Sequence, residues 1–216
     1  MDRTRARIRS YRPTDLGALY QICWLTGDDG QDATSLYQDP HLLGHFFAAP
    51  TGCSSHPWPS SQKTPKAWAA TSSARSIPRS SQERLERKWW PGLRARYPAP
   101  PPSLPSGQLI PDQHVAHMIH HPWRIPGQPA TRYPSHLHIS LLPRLQASGY
   151  GRQLIKTLTA ALRDQGSRGV HPHVPHGNPN AASFYRHLGF TEPPVTAAEL
   201  PAPYLHLFAM DLQATS

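Results

Sequence analysis

Between positions 133 and 142, Leu137, Ile139 and Leu141 alternate with more polar neighbours, and this period of two predicts a half-buried strand. A second strand-like stretch at 169–174 precedes a short helical pattern at 178–188, which Gly189 ends as a C-cap. Between the two stretches, apolar residues recur at the spacing of a helix face: Leu154, Ile155, Leu158, Ala161 and Leu162. The C-terminal half is therefore predicted to form two successive strand–loop–helix units.

Weaker periodicity elsewhere completes the predicted order of elements. A first strand is expected at 7–11 and a final strand at 205–210. Helices are predicted at 14–26, 34–48, 82–96 and 111–120, with Thr14 and Thr34 as N-caps of the first two. In the helix at 82–96, Leu85, Trp89 and Trp90 should face inward, and residues 97–111 should form a stiff proline-rich connector.

Length and composition bound the class of protein. A chain of 216 residues predicts one domain spanning 1–216 with a core of its own. The cysteines, Cys23 and Cys53, form no disulfide or metal spacing, which favours a reducing, cytoplasmic setting. No apolar run has the length of a membrane span. A net charge of +9 would suggest a nucleic-acid partner, but the charge is spread along the chain, so neither nucleic acid nor membrane is expected as a partner.

The segment 51–81 differs from every other part of the chain. It contains nine serines, four prolines and no acidic residue, and Ile77 is its one aliphatic side chain larger than alanine. Such a composition offers too little apolar surface for a core strand, so the segment is predicted to be aberrant and of low order. A genuine flexible insertion is one explanation.

A frameshift in the coding sequence is the other explanation of the segment 51–81. With the reading frame shifted by one base and GC-rich codons, its cysteine, tryptophan and TCN serine codons become leucine, valine or phenylalanine codons. The shifted segment encodes a strand, an acidic turn and a second strand ending in Gly-Tyr-Val-Leu-Gly. It would also replace four basic residues by six acidic ones, which explains the high net charge as an artefact.

The loop before the predicted helix at 150–162 carries Gln146, Gly149 and Gly151. Glycines at a strand-to-helix turn let the backbone close around phosphate oxygens at a helix N-terminus, although a tight turn alone would also require them. With Pro143 three residues before Gln146, the spacing resembles the acetyl-CoA loop, [QR]-x-x-G-x-[GA], of the GNAT acetyltransferase superfamily.

A second stretch strengthens this resemblance. The run 178–190 is similar to the superfamily signature N-x-x-A-x-x-F-Y-x-x-x-G-F, and it follows the glycine loop by about thirty residues. The resemblance implies an α/β fold with a mixed, mostly antiparallel central sheet flanked by helices. Two strands of that sheet should form a hairpin where the chain has its segment 51–81, so the hairpin is expected to be missing or disordered. The matching positions are Asn178, Ala181, Phe184, Tyr185, Gly189 and Phe190.

The same resemblance implies the chemistry and the residues of the site. Acetyl-CoA would be the cosubstrate, and an amine of a small molecule or peptide would attack it directly in a ternary complex. The backbone N–H of Leu141 would hold the thioester carbonyl, Tyr185 would protonate the departing thiolate, and Asn178 would contact the pantetheine or orient the strand end. The alternatives are a non-catalytic CoA-binding fold and an inactive frameshifted product; a homodimer is also expected. The pyrophosphate would rest on the backbone of Gln146, Ala147, Ser148, Gly149, Tyr150, Gly151 and Arg152.

The histidines suggest a general base and no metal. His136 and His138 share a strand face with Ser140, and His138 is the candidate base, because an amine must lose a proton to attack near neutral pH. Polar residues on a packed strand are the simpler interpretation. Two other groups, at 114–121 and 171–176, lack cysteine or carboxylate partners, and Pro172 interrupts the second group, so no metal site is expected.

Overall fold

The structure is a computed structural model that describes residues 8–9, 11–48, 70–76, 79–122, 131–196, 200 and 204–213, with backbone alone at 70–76, 79–82 and 106. Its helices are α1 Leu16–Leu25, α2 Arg79–Lys88, α3 Trp90–Arg96, α4 Pro111–His120, α5 Tyr150–Asp164 and α6 Pro179–His187. Its strands are β1 Ala70–Ser76, β2 Ser135–Leu141, β3 Gly169–His171, β4 His173–Pro175, β5 Leu205–Leu207 and β6 Met210–Asp211. A π-helical turn lies at Gly44–Ala48, and short 3-10 turns lie at Pro13–Asp15, Ser106–Gln108 and Pro143–Leu145.

The main sheet splits between β2 and β4. Its strand order is β1-β2-β3-β6, and β1 runs antiparallel along the whole of β2. Strands β2 and β3 are parallel, but they pair only at Ser135 with Val170 and at His136 with His171. Beyond that point β4 pairs with β5 in a separate two-stranded sheet. The expected mixed, mostly antiparallel α/β fold is confirmed, and a gap opens between 137–141 of β2 and 173–175 of β4.

Two apolar clusters hold this arrangement together. The first lies among α1, the π-helical turn, α3 and α4, and it is centred on Leu93 and Ile119, which are buried. The second joins the sheet to α5 and α6, and it is centred on Leu137, Val170 and Phe208. Burial of a large aliphatic or aromatic side chain stabilises a fold by about 1.5–3 kcal/mol. The second cluster therefore fixes the positions of the two strand–loop–helix units that were predicted from the sequence.

The expectation that the segment 51–81 adds no strand is wrong for residues 70–76. These residues form β1, with Ala70 opposite Leu141 and Ser76 opposite Ser135. A ladder is made by backbone N–H and C=O groups, so the edge of β2 can be paired by a polar strand. Residues 51–69 and 77–78, on which the rest of that expectation falls, lie outside the described residues. The frameshift itself stays a prediction that sequencing the DNA around codons 50 and 82 would test.

Other expectations differ in detail from the structure. The helix predicted at 34–48 is wrong over its first half, because turns occupy 34–41 and helical structure starts only at Leu42. The helix predicted at 82–96 is confirmed but broken at Trp89, since Pro91 has no N–H to continue the helical hydrogen bonds. The helix at 111–120 is confirmed to the residue. Ile8, Arg9 and Tyr11 lie in no strand, and the predicted final strand is divided into β5 and β6.

Two further observations concern the cysteines and the apolar length of the helices. Cys23 is a buried free thiol, and burial raises its pKa to about 12, whereas Cys53 lies outside the described residues. Within the ranges that the structure describes, no helix is both long enough and apolar enough to cross a membrane.

Candidate active site

A cavity of about 940 Å³ occupies the gap between the separated strands. One wall is β2, the opposite wall is β4, and Phe184 and Tyr185 of α6 lie beside them. Cavities of this size hold a drug-sized or cofactor-sized molecule. The structure brings most of the predicted site residues to this cavity, namely His138, Leu141, Gln146, Ala147, Gly149, Gly151, Arg152, Asn178 and Tyr185. Ser148 and Tyr150 are not among the residues that line it.

The glycine loop forms one end of the cavity. Gly149 is the N-cap of α5 and has a φ of 85°, in the left-handed region that favours glycine. Ala147 also has a positive φ, of 53°. Such turns point successive backbone N–H groups outward, and the first N–H groups of α5 have no partner within the helix. The backbone N–H of Gln146 donates to the Pro143 carbonyl at 3.1 Å, whereas the contacts of the loop with pyrophosphate stay a prediction.

The surroundings of Gly151 differ from those of Gly149. A Cβ at Gly151 would lie 3.0 Å from Cε2 of Phe184 and 3.2 Å from Cδ1 of Leu141. A Cβ at Gly149 would meet nothing within 4 Å. Gly151 therefore allows α6 to pack closely against the start of α5, and Gly149 leaves space open in front of the helix N-terminus.

A turn that follows α1 lines the cavity and bonds to the segments that follow β2 and β4. Asp29 and Gly30 have φ values of 48° and 91°, and the bridge between Asp28 and Gln31 closes the turn. The Gln146 side chain donates to the Gly30 carbonyl at 3.1 Å, and the Asn178 side chain donates to the Asp29 carbonyl at 3.2 Å. Sequence reasoning missed this turn, although Asp-Gly is the usual signature of a two-residue turn with positive φ.

Asn178 makes two hydrogen bonds with one side chain. Its Oδ1 accepts from the N–H of Ala181 at 2.9 Å, which caps α6, while its Nδ2 reaches Asp29. This side chain therefore joins the start of α6 to the turn at Asp29. The two roles expected for Asn178, contact with pantetheine and orientation of the strand end, stay predictions.

We predict that Asn178→Ala destabilises the protein by about 0.5–2 kcal/mol, the usual cost of a lost N-cap. The substitution also removes the hydrogen bond to the turn at Asp29. Urea denaturation followed by circular dichroism measures the change. Ser183→Ala is the matched control, because Ser183 is an exposed hydroxyl on the same helix. An equal midpoint for the two variants would contradict the prediction.

Tyr185 lies among aromatic rings at the inner side of the cavity. Its ring centroid is 5.2 Å from that of Phe190 and 6.0 Å from that of Phe208, and the residue is 5% exposed. Burial raises the pKa of its hydroxyl well above the usual value of 10.0. Tyr185 is therefore protonated at neutral pH, as a proton donor must be.

His138 and Leu141 lie on the opposite wall. The His138 ring stacks on Phe47, with centroids 5.2 Å apart, and its Nε2 lies 3.2 Å from Oγ of Ser140. Burial lowers the pKa of His138 to about 4, so the ring is neutral at pH 7. Leu141 is the last residue of β2, and its carbonyl accepts from the Gln146 side chain at 2.9 Å.

Comparisons with known proteins agree with this geometry. Residues 117–192 match the family model of the acetyltransferase (GNAT) domain. The solved structure of SsHAT is 29% identical in sequence, covers 95% of this chain and 98% of its own, and superposes with a TM-score of 0.77. A structure described as an acetyltransferase is 14% identical, covers 96% of this chain and 100% of its own, and has a TM-score of 0.53. The second likeness concerns the fold alone.

Residues 117–192, which contain β2, the glycine loop, α5 and α6, carry a GNAT acetyltransferase domain. The mixed α/β fold with its separated strands is the fold of that superfamily. Acetyltransferases of this family use acetyl-CoA.

Proposed function

We propose that the protein transfers an acetyl group from acetyl-CoA to an amine, which attacks directly within a ternary complex. The observation that carries the proposal is the continuous cavity that runs from the glycine loop at Gly149 to Tyr185 between the separated strands. The loop would hold the pyrophosphate, and the gap would take the pantetheine arm in place of a neighbouring strand. The thioester would then lie between the two walls.

Each reacting atom would meet a group of this chain. The amine nitrogen attacks the thioester carbon, and the N–H of Leu141 stabilises the resulting oxyanion, an interaction that often contributes several kcal/mol. The C–S bond then breaks, and the sulfur takes the electron pair. Tyr185 donates its hydroxyl proton to that sulfur, and His138 accepts the proton that the amine loses.

The charges of the cavity support an amine acceptor. Among the residues that line the cavity, the formal charges are those of Asp29 and Arg152. Arg152, at the start of α5, favours the negative phosphates, whereas the Asp29 carboxylate favours a cation. Burial and the neighbouring Asp28 raise the pKa of Asp29. An amine of a small molecule or of a peptide is the acceptor that these charges fit.

The function is tested by mixing the purified protein with acetyl-CoA and a panel of polyamines, amino sugars and peptides. Acetyl transfer is measured as release of free CoA thiol and as a mass gain of one acetyl group on the acceptor. Catalysed acetylation of any amine above the rate without protein supports the proposal. Acetyl-CoA binding without turnover on any amine would favour the non-catalytic alternative, and no binding at all would point to an inactive product.

The pH dependence gives a separate prediction for His138. A base with a pKa of about 4 is already deprotonated throughout the range from pH 5 to 8, so its titration should not shape kcat/KM there. We expect kcat/KM to rise with pH only as the acceptor amine loses its proton. The pH profiles of kcat/KM for the wild type and for His138→Gln should therefore be parallel, with lower values for the variant. An inflection near pH 6.5 that disappears in His138→Gln would contradict this prediction.

A further inference from the structure

Three histidines meet at the closed end of the gap, where β2 and β4 begin to separate. His136 of β2 lies opposite His171 of β3, and His173 starts β4. One ring nitrogen from each of the three lies within 4.8 Å of the other two. The ring centroids are 5.2–5.4 Å apart. Two of the three, His136 and His173, also line the cavity.

The orientation of His171 is that of a metal ligand. Its Nδ1 lies 2.7 Å from the carbonyl oxygen of Tyr133, and only a protonated nitrogen can donate there, so the neutral ring carries its lone pair on Nε2. That Nε2 is buried and has no hydrogen-bond partner among the described residues. Metal-bound histidines usually donate their other ring nitrogen to a carboxylate or backbone carbonyl in this way. A buried acceptor without a partner otherwise destabilises the folded protein, because its lost hydration is not replaced.

The electrostatics of the three rings favour the ligand form. Burial lowers the pKa of His171 to about 4 and that of His173 to about 3, and it lowers the pKa of His136 well below the usual value. All three rings are therefore neutral at pH 7, and each keeps a lone pair that a metal ion can take. Ion binding at neutral pH would not have to displace protons from them.

Pro172 does not separate the side chains of His171 and His173, contrary to the expectation from the sequence. Residues two apart in extended chain point to the same face of a sheet, so the side chains of His171 and His173 lie on one face. Pro172 is itself buried, and its carbonyl accepts from the N–H of Phe208 at 3.2 Å. The third ligand comes from the parallel partner strand, through the register of His136 with His171.

We propose that His136, His171 and His173 form a binding site for a divalent transition metal ion, Zn²⁺ in the first place, with one coordination position open to the cavity. Imidazole suits zinc, copper, iron and nickel, and not calcium or magnesium. Three protein ligands with an open fourth position are typical of zinc sites that bind a water or a substrate. That position would accept water, or a carboxylate, thiol or imidazole of a molecule in the cavity.

The geometry requires a small closure of the rings. Zinc–nitrogen bonds of ~2.0–2.1 Å in a tetrahedral site place ligand nitrogens ~3.3 Å apart. The nitrogens now lie within 4.8 Å of one another. Side-chain rotations that shorten each nitrogen–nitrogen distance by about 1.5 Å or less therefore complete the site.

Titration of the metal-stripped protein with zinc chloride tests the proposal by calorimetry. We expect one zinc ion per chain, and we expect His171→Ala and His173→Ala each to weaken binding by more than the ~10–100-fold typical of a lost outer-shell partner. The double variant His117→Ala/His121→Ala is the control, because it removes a pair of exposed histidines, one on α4 and one at its C-cap. Its affinity should equal that of the wild type.

A second measurement keeps the test valid if the histidine variants fail to fold. Cobalt titrated into the stripped wild type should give the intense visible absorption of a four-coordinate site, and zinc should abolish it. The weak absorption of a six-coordinate cobalt ion would overturn the proposal. Absence of stoichiometric zinc binding by the wild type would also overturn the proposal. So would a zinc affinity of His171→Ala equal to that of the wild type.

Discussion

Replacing Gly149 by leucine should weaken CoA binding by ~100-fold or more, which corresponds to ~2.7 kcal/mol. The position of a Cβ at Gly149 meets nothing within 4 Å, so a leucine side chain would enter the open space in front of α5. That space is where the proposed pyrophosphate would contact the N–H groups of the helix. Calorimetry with CoA measures the loss.

Gly166→Leu is the matched control for Gly149→Leu. Gly166 also has a positive φ, of 75°, and also has nothing within 4 Å of a Cβ. Both variants therefore carry the same backbone strain of about 1–2 kcal/mol, but Gly166 follows the far end of α5 and does not line the cavity. CoA affinity in Gly166→Leu should equal that of the wild type. Equal losses in the two variants would mean that strain, and not the phosphate space, explains the effect.

The glycine loop and α6 could be predicted from the sequence because their signals are local. Gly149 caps a helix that follows an alternating strand, and Gly189, with a φ of 87°, ends α6 as expected. Pro111 at the first position of α4 fixed the start of that helix. In each case a few neighbouring residues determine the backbone, so no distant contact was needed for a correct prediction.

The turn at Asp29 and the histidine cluster depend on distant contacts. Asp29 is 149 positions from its partner Asn178, and His136 meets His171 only through the pairing of β2 with β3. A single sequence shows neither pairing. The sequence therefore predicted site residues on β2, the glycine loop and α6, and it missed the contacts between residues that lie far apart in the chain.

Strand β1 was missed for a different reason. The prediction relied on apolar side chains, and the stretch 70–76 contains none larger than alanine. Its pairing with β2 is made by backbone groups. In the frame-shifted reading, Gly-Tyr-Val-Leu-Gly falls on positions 70–74, at the place where the structure has β1. That coincidence supports the frameshift hypothesis without testing it.

Tyr185→Phe should slow acetyl transfer by ~100-fold, the low end of the ~10²–10⁴-fold range of general acid catalysis. The substitution removes only the hydroxyl, so the ring keeps its packing against Phe190 and Phe208. A free thiol titrates near ~8.5, and burial raises the pKa of Tyr185 above its own usual value of 10.0. Full proton transfer to the thiolate is therefore uphill, and this is why the low end is expected.

The loss should appear in kcat and not in the affinity for CoA, because the hydroxyl acts on a sulfur that carries charge only as the C–S bond breaks. Tyr133→Phe is the matched control, since Tyr133 is 4% exposed, close to the 5% of Tyr185, and does not line the cavity. Steady-state kinetics with an accepted amine, together with CoA calorimetry, separate the two quantities. If Tyr185→Phe kept the full kcat of Tyr133→Phe, the hydroxyl would have no part in the reaction, and Tyr185 would be a core residue of α6.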